Sequence, residues 1–529
     1  MIVFKDMKKI FLAALALAVM PAAAQDTYES ARLLGSDLNG TARYVGMGGA
    51  MDALGADIST MSTNPAGIGM FRHSSVSASL GLVSQSDAQK FDGLGKTNVS
   101  FDQMGFVYSA QVSPTSFINV GFNYHKSRNF DQILSAANAL SNCSQNGLTF
   151  HKTADRNLFY LEENEQGDLI GYVDNHRRSL AFSESDYMNA NALMLDPNDG
   201  LVYYNDARAY SFDRAHRGWI SDFDINISGN GGDRFYWGFT VGIKDVNYKG
   251  YSEYGESLVD NAGDCGSVVV ADNRKIKGTG FDVKAGIIFL PIEESPFRIG
   301  LSISTPTFYD LTASNDTYLL NNTPYGAYDE GYSSQAYDFK FYTPWKFGVS
   351  MGHTFSNKVA LGVGYEYSDW GASKNRINDG SHYDWWSDEY YDDSHTDEPM
   401  KQNTERSLTG QHVLKAGAEF KPVPQFAIRV GYNYLSAPYE DNGYRNALLE
   451  SPGVSYASTT DYVNWKDTHR ITCGLGVKAG GFSIDLAYQY STTKGDFHPF
   501  QPYVDVRATG VKEVSNDRHQ ALLTLGYTF

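Results

Sequence analysis

The sequence predicts an all-β fold: a fourteen-stranded antiparallel transmembrane β-barrel with an N-terminal hatch folded inside its lumen. Three observations predict it. Apolar and polar residues alternate with period two, the connections alternate short and long, and the last strand ends in Phe529. Composition agrees, because 36 Tyr, 30 Phe and 51 Gly stand against 16 Pro with no heptad pattern. Beyond the first residues no stretch reaches about 18 consecutive apolar positions, which excludes a helical membrane protein.

Residues 1–24 read as a secretory signal. Lys8 and Lys9 give a basic start, "IFLAALALAVM" is an apolar run, and Ala22 to Ala24 fit a small-residue cleavage site before Gln25. The run is too short for a spanning helix, and the absence of Cys at the cleavage point argues against a lipoprotein. The net charge of −18 argues against nucleic acid, whose phosphates reward Lys and Arg. Three cysteines (Cys143, Cys265, Cys473) make no disulfide framework, although Cys143 and Cys265 can bridge two loops.

The strands are read in order. "RFYWGFTVGIKDVNY" sets Phe235, Trp237, Phe239, Val241 and Ile243 against Tyr236, Gly238, Thr240, Gly242 and Lys244. "GFDVKAGIIF" and "KVALGVGYEYSDW" repeat the pattern, with aromatics crowding the ends of the apolar face and glycine and charge on the other. That is a lipid-facing wall with a polar lumen and aromatic girdles. The strands fall near 74–85, 99–112, 116–126, 218–229, 233–249, 278–290, 297–311, 335–355, 358–370, 408–421, 426–436, 467–479, 482–492 and 517–529. Short turns such as "SPTS", "GNGGD" and "KPVPQ" alternate with long loops near 86–98, 127–217, 250–277, 312–334, 371–407, 437–466 and 493–516. A sandwich has no reason to sort its loops in this way; an outer-membrane barrel does. Both termini then face the periplasm. The terminal "LLTLGYTF" resembles the signal read by the barrel-assembly machinery of Gram-negative outer membranes.

A barrel of this size leaves a lumen, and residues 25–72 are too long and too apolar for a simple tail. They are read as a hatch, with residues 73–529 as the barrel. "YESARLLGSDL" and "TARYVGMGGAMDALGAD" can form short helices; in "STNPAGIG" Pro65 biases Asn64 away from helix. Gly67 and Gly69 permit a tight turn. Inward glycines (Gly238, Gly286, Gly348, Gly362, Gly417, Gly431, Gly476) would let the hatch backbone approach the wall.

"GTARYVGMGGAMDALGADISTMSTNPAGIG" resembles the N-terminal hatch of the FadL/TodX family of outer-membrane transporters for long-chain fatty acids and other hydrophobic compounds. "NPAG", from Asn64 through Pro65 and Ala66 to Gly67, is its most specific mark. "TPWKFGVSMGHTFSNKVALGVGYEYSDW" and "HRITCGLGVKAGGFSIDLAYQY" are similar too, and the likeness weakens over 127–217 and 371–407. The resemblance implies a hatch-plugged barrel, ligand capture by outer loops, an inner pocket, and passive exit through a lateral wall opening. It implies a long-chain fatty acid or other hydrophobic partner, outer-membrane lipid around the wall, and a Gram-negative outer-membrane location. The chain is expected to be monomeric, with no nucleic-acid partner.

Candidate sites follow. In loop 127–217, Tyr187, Met188, Leu193, Met194 and Leu195 offer a greasy surface for a capture groove. Lys244, Lys284, Lys340, Lys346 and Lys415 are read on the lumen face, where an ammonium can attract a carboxylate unless Asp282, Glu366 or Glu419 pairs with it. The acidic, aromatic stretch 378–399 can bind a cation or a sugar, but lacks an ordered Ca²⁺ signature. Haem capture is the alternative function, since 12 His and many loop Tyr can supply axial ligands, but the histidines are scattered (His382, His395, His498) with no paired spacing. No nucleophile–base pair stands out, so the chain is read as a non-enzyme with no cofactor and no metal site.

Overall fold

The computed structural model describes residues 25–86, 88–156, 160–163, 169–172, 180–194, 204–260, 263–324, 330–356, 358–386, 389–501 and 509–529; the expected signal, 1–24, lies outside them. Fourteen antiparallel staves close into one barrel. They are β1 (Ser75–Gln85), β2 (Thr97–Ser113), β3 (Ser116–Asn129), β4 (Asp206–Gly231), β5 (Phe235–Asp260) and β6 (Gly263–Phe289). Three interrupted staves and one two-part stave follow: β7 (Arg298–Ser304 and Phe308–Asn322), β8 (Glu330–Tyr342 and Lys346–Phe355), β9 (Val359–Asp369 and Lys374–Asp384) and β10 (Glu389–Thr396 and Gly410–Val423). The last are β11 (Phe426–Leu435), β12 (Tyr462–Ala479), β13 (Phe482–His498) and β14 (Lys512–Thr528). Pairing of β1 with β14, from Ser75↔Thr528 to Gln85↔Arg518, closes the cylinder and leaves no free edge.

The period-two pattern decides which face looks outward. Along β5, Phe239 and Ile243 are about half exposed on the outer face while Thr240 between them is fully buried. Short turns close one end. In the three-residue turn between β4 and β5, Gly232 (φ +59°) and Asp233 (φ +54°) both take the left-handed region, and the Arg234 N–H donates back to Gly231 O. Near the opposite rim of the apolar belt, three outer-face pairs repeat: Tyr365–His412, Tyr432–His469 and Tyr488–His519, each with the hydroxyl 2.7 Å from Nδ1.

Most of the expected long loops are not loops. β5 and β6 stay paired far past the belt, with Tyr248↔Ile276 and Tyr254↔Val270 in register, so 250–277 is a tall hairpin; 312–334 is largely the top of β7 and β8. Their inner faces remain apolar (Tyr248, Val270, Ile276, Leu311, Phe339 are buried) because they have a cap to cover. Within 127–217, strand Gln132–Cys143 pairs with the start of β4. Helix Gln145–Arg156 and helix Glu184–Asn189, continuing as a π-helical turn Ala190–Met194, fold over the mouth. Stretch 371–407 forms the hairpin atop β9 and β10 and helix Glu398–Ser407. A core of Leu134, Met188, Leu193, Phe212, Tyr254 and Phe497 fills this long-loop end.

Residues 25–72 lie inside the barrel and run its length. The expectation that both ends of the mature chain share the short-turn end is corrected here. Asp26 pairs with Arg445 at 2.8 Å and Thr27 meets Thr404 at 2.8 Å, both at the long-loop end. Phe71 and Phe529 lie at the other end, where Phe529 N–H donates to Ser74. The three cysteines form no disulfide. Cys143 and Cys265 do not bridge; the Cys143 thiol lies 2.9 Å from the Thr509 hydroxyl instead.

Candidate functional site

The lumen is defined by how the N-terminal segment meets the wall. Asn64 is fully buried and caps the 3₁₀ helix Pro65–Met70: its Oδ1 accepts from Ala66 N–H at 3.2 Å, and its Nδ2 donates to Asp52 O at 3.0 Å. Pro65 fits the first helical position, where its missing N–H costs nothing. Of the seven inward glycines, five meet this segment. A Cβ at Gly238 would overlap Pro65, at Gly286 the Asn64 side chain, at Gly362 Ala50, at Gly417 Met47, and at Gly431 Gly48. Gly348 and Gly476 instead face wall side chains, Ser302 and Asp485.

Polar ties reinforce the apolar fit. Arg43 reaches Glu419 at 3.2 Å, which Arg429 also holds at 2.7 Å. Glu29 pairs with Arg274 at 2.6 Å; burial pushes its carboxyl up, but Arg274, Arg445 and Arg32 outweigh burial and hold it down at about 2. Ala42 N–H donates to Thr524 Oγ1 at 2.7 Å. A segment held by main-chain bonds and buried ion pairs at several levels does not slide freely along the barrel.

Two cavities remain beside it. A lower one of about 140 Å³ is lined by Tyr44, Thr305, Thr307, Thr343, Lys346, Trp370 and Lys415. An upper one of about 180 Å³ is lined by Tyr28, Phe130, Tyr248, Tyr439, Tyr462 and Trp465, with Arg32, Arg128, Arg214, Arg470 and Arg518 among these rings. Residues 35–37 border both. The lower cavity abuts an interruption in the wall. β7 breaks at Thr305–Pro306–Thr307, β8 at Thr343–Pro344–Trp345 and β9 at residues 370–373, all at one level. Pro306 and Pro344 lack the N–H that would continue the ladder. Below this level outward residues are apolar (Leu301, Phe347, Val349, Met351); above it Asp310, Asp316 and Asp338 face out.

The lysines divide. Lys244 pairs with Asp222 and, at 3.4 Å, with Asp282. Lys284 pairs with Asp224 at 2.9 Å and Asp282 at 3.0 Å, and Lys415 with Asp52 at 3.1 Å and Glu366 at 3.4 Å. Lys346 lines the lower cavity and makes no ion pair within 4 Å among the described residues. Lys340 is corrected: Phe339 and Phe341 on either side point inward, so period two turns Lys340 outward, opposite Asp310. The loop residues are also not an open groove. Met188, Leu193 and Met194 are buried in the cap; Tyr187 packs edge-on against Phe182 at 4.6 Å; Leu195 falls outside the described residues. His395 sits 2.8 Å from Asp379 and His498 stacks on Tyr462 at 4.6 Å, so these histidines do not converge. The side chain of His382 lies outside the described residues.

The five arginines of the upper cavity were not among the expected residues. A signal existed for three. In "KSRN", "HRITCG" and "DRHQALLT", Arg128 stands at the upper end of β3, and Arg470 and Arg518 share the parity of the inward Thr472 and Gln520.

No family model matches the chain, and no curated protein matches its sequence. Solved structures do. The toluene transporter TbuX of Ralstonia pickettii aligns at 13% identity and TM-score 0.47, covering 93% of this chain and 99% of that one. A FadL homologue of Pseudomonas aeruginosa aligns at 10% identity and TM-score 0.49, covering 94% and 99%. The P. putida toluene transporter TodX aligns at 11% identity and TM-score 0.47, covering 93% and 99%. These are barrels of the family that residues 40–69 resemble, and the likeness of this chain to them is one of fold.

Proposed function

We propose that this chain carries hydrophobic small molecules, long-chain fatty acids or compounds of similar character, passively across a Gram-negative outer membrane. One observation carries the reading: a closed wall with an apolar outer belt surrounds a lumen that is filled, yet retains two adjacent amphipathic cavities beside an interrupted stretch of wall. A general porin needs an aqueous channel; a filled lumen with a ring-lined upper cavity suits solutes that partition out of water. The reported transport of toluene by the structural relatives TbuX and TodX points in the same direction.

In this reading the long-loop end is extracellular. Cap residues Met188, Leu193 and Met194 seal the mouth and move aside for capture. The ligand then occupies the upper cavity, passes residues 33–39, and reaches the lower cavity. It leaves sideways where Pro306 and Pro344 interrupt the ladder, near the outer rim of the belt. Lys346, which makes no ion pair within 4 Å among the described residues, can hold a carboxylate in transit. The N-terminal segment acts as the hatch that keeps ions out while the ligand goes round it.

Uptake of labelled oleate by cells that lack their own fatty-acid channel is the test. Expression of this chain should restore uptake without restoring passage of hydrophilic sugars. Sugar passage with no gain in oleate would defeat the proposal.

A further inference from the structure

The three outer-face Tyr–His pairs repeat in sequence as well as in space. "GYEYSDW", "GYNYLSA" and "AYQYSTT" place Tyr-x-Tyr near the top of the apolar belt on β9, β11 and β13. The following stave sets a histidine opposite the upper ring of each: Tyr367↔His412, Tyr434↔His469 and Tyr490↔His519. Those ring centroids are 5.1–5.3 Å apart. The lower hydroxyl of each bracket, on Tyr365, Tyr432 or Tyr488, has no other acceptor among the described residues. It therefore donates to Nδ1, and the neutral ring carries its own proton on Nε2.

The three Nε2 atoms are not equivalent. His519 Nε2 lies 2.9 Å from Ser86 Oγ, so that ring is satisfied within the protein. His412 and His469 are exposed, and their Nε2 atoms make no hydrogen bond among the described residues. They flank β11. His412 N–H donates to Ser436 Oγ while His469 is in register with Tyr434, so the two are offset by two residues as well as two interstrand spacings. That is about 12 Å. One phosphate group does not reach both rings, whereas a phosphorylated disaccharide does. Tyr432, 41% exposed on β11 between them, presents a ring face on which a sugar can lie.

Carboxylates above this rim are engaged. Asp467 accepts from the Tyr434 hydroxyl and the Ala437 N–H, both at 2.8 Å, and Asp496 pairs with Lys466 at 2.9 Å. The short-turn rim of β8 to β14 is edged mainly by Phe355, Phe420, Phe482 and Phe529, rings without a polar tip. Hydrogen-bond donors are thus gathered where the wall meets one leaflet.

We propose that His412 and His469, with Tyr432 between them, bind the phosphorylated disaccharide head of an outer-leaflet glycolipid of the lipid A type. The two Nε2–H groups donate to phosphate or sugar oxygens, and Tyr365 and Tyr432 fix each ring by holding its Nδ1. The acyl chains run down the apolar wall over Val363, Leu414, Val430 and Ile471. The proposal takes from the transport reading only its orientation, with the long-loop end outside, and is independent of the cargo.

Native mass spectrometry of the full-length protein in mild nonionic detergent is the test. Delipidated wild type should bind lipid A at least tenfold more tightly than enzymatically dephosphorylated lipid A. His412→Phe with His469→Phe keeps both rings and removes both donors; it should weaken lipid A binding at least tenfold. His519→Phe should leave binding unchanged, because that Nε2 is already used by Ser86. Heat-modifiable gel migration follows folding, and the comparison of the two lipids in the wild type decides the question without any variant. No binding of lipid A, equal affinity for its dephosphorylated form, unchanged binding in the double variant, or an equal loss in His519→Phe overturns the glycolipid site and leaves the transport reading standing. Tighter binding of phosphatidylglycerol than of lipid A overturns the site and, with it, the orientation on which the transport reading is built.

Discussion

Lys415 Nζ lies 3.1 Å from Asp52 Oδ2, tying stave β10 to a residue 363 positions earlier in the chain. The same ammonium reaches Glu366 at 3.4 Å. This link joins the filled lumen to the wall at the height of the lower cavity. Replacing Lys415 by Met leaves two carboxylates without their shared cation, and breaking a buried pair in this way costs about 3–5 kcal/mol. The barrel should still assemble and resist heat, because the strand ladders carry the fold. In planar bilayers the variant should show bursts of ion conduction absent from the wild type. A recording as quiet as the wild type would mean that this link does not hold the segment in place.

Deleting residues 25–72 is the stronger form of the same experiment. The staves begin at Ser75 and close through β1 and β14 without help from the deleted chain. The product should remain a heat-resistant barrel, conduct ions steadily and admit small hydrophilic solutes. The milder Asn64→Ala, Pro65→Ala pair removes a cap bond and a fixed φ. It should leave the lumen closed but slow oleate uptake, since the 3₁₀ turn fits against Gly238 and Gly286. Unaltered uptake would remove that turn from the route.

Met188, Leu193 and Met194 are packed under the mouth, so their joint replacement by Ser acts on the cap rather than on an open groove. Each loses buried apolar contact, at about 2 kcal/mol or more per side chain. Trypsin added to intact cells should then cut 127–217 faster than in the wild type and spare turns such as "KPVPQ". Cleavage at the short turns in intact cells would invert the orientation of the barrel.

Glu184 gives the cap a pH dependence. Burial raises its carboxyl from 4.5 to about 7, against the opposing hydrogen bond from Asn315. The docked cap therefore favours the protonated form. Docking is strongest below pH 4.5, weakens as pH rises through the window to about 7, and loses nothing further above it. The span corresponds to about 3 kcal/mol at most. The protection of residues 180–194 against hydrogen exchange, taken relative to the intrinsic rate at each pH, should fall across that window in the wild type. In Glu184→Gln it should stay flat, because an amide oxygen still accepts from Asn315 and carries no charge to desolvate. Identical profiles for the two proteins would show that Glu184 stays buried without bearing on the cap.

Some of this molecule was legible before folding. Outward Phe239, Val241 and Ile243 and inward Thr240 follow from period two alone, since successive side chains in a strand point to opposite faces. The alternation of turn lengths located all fourteen staves, because hairpins joined at one end of a barrel need few residues. "NPAG" was legible as a turn, since Pro65 fixes φ and Asn64 bonds the N–H two residues on. Parity misled at a break in the wall: read as one strand, Lys340 and Lys346 share a face, but the interruption at Thr343–Pro344–Trp345 shifts the phase, so odd Phe339 and Phe341 point inward above it while odd Phe347 and Val349 point outward below it.

The sequence by itself determined the barrel, its strand number and the direction of side chains along uninterrupted staves, because these are local consequences of alternation, turn chemistry and length. Tertiary structure alone decided which charges are spent and which are free. Lys244, Lys284 and Lys415 find carboxylates on neighbouring staves or on the lumen segment, while Arg128, Arg470 and Arg518 stand around Asp37. A charge is neutralised by whatever lies within a few ångströms of it, and in a closed barrel those neighbours come from opposite ends of the chain.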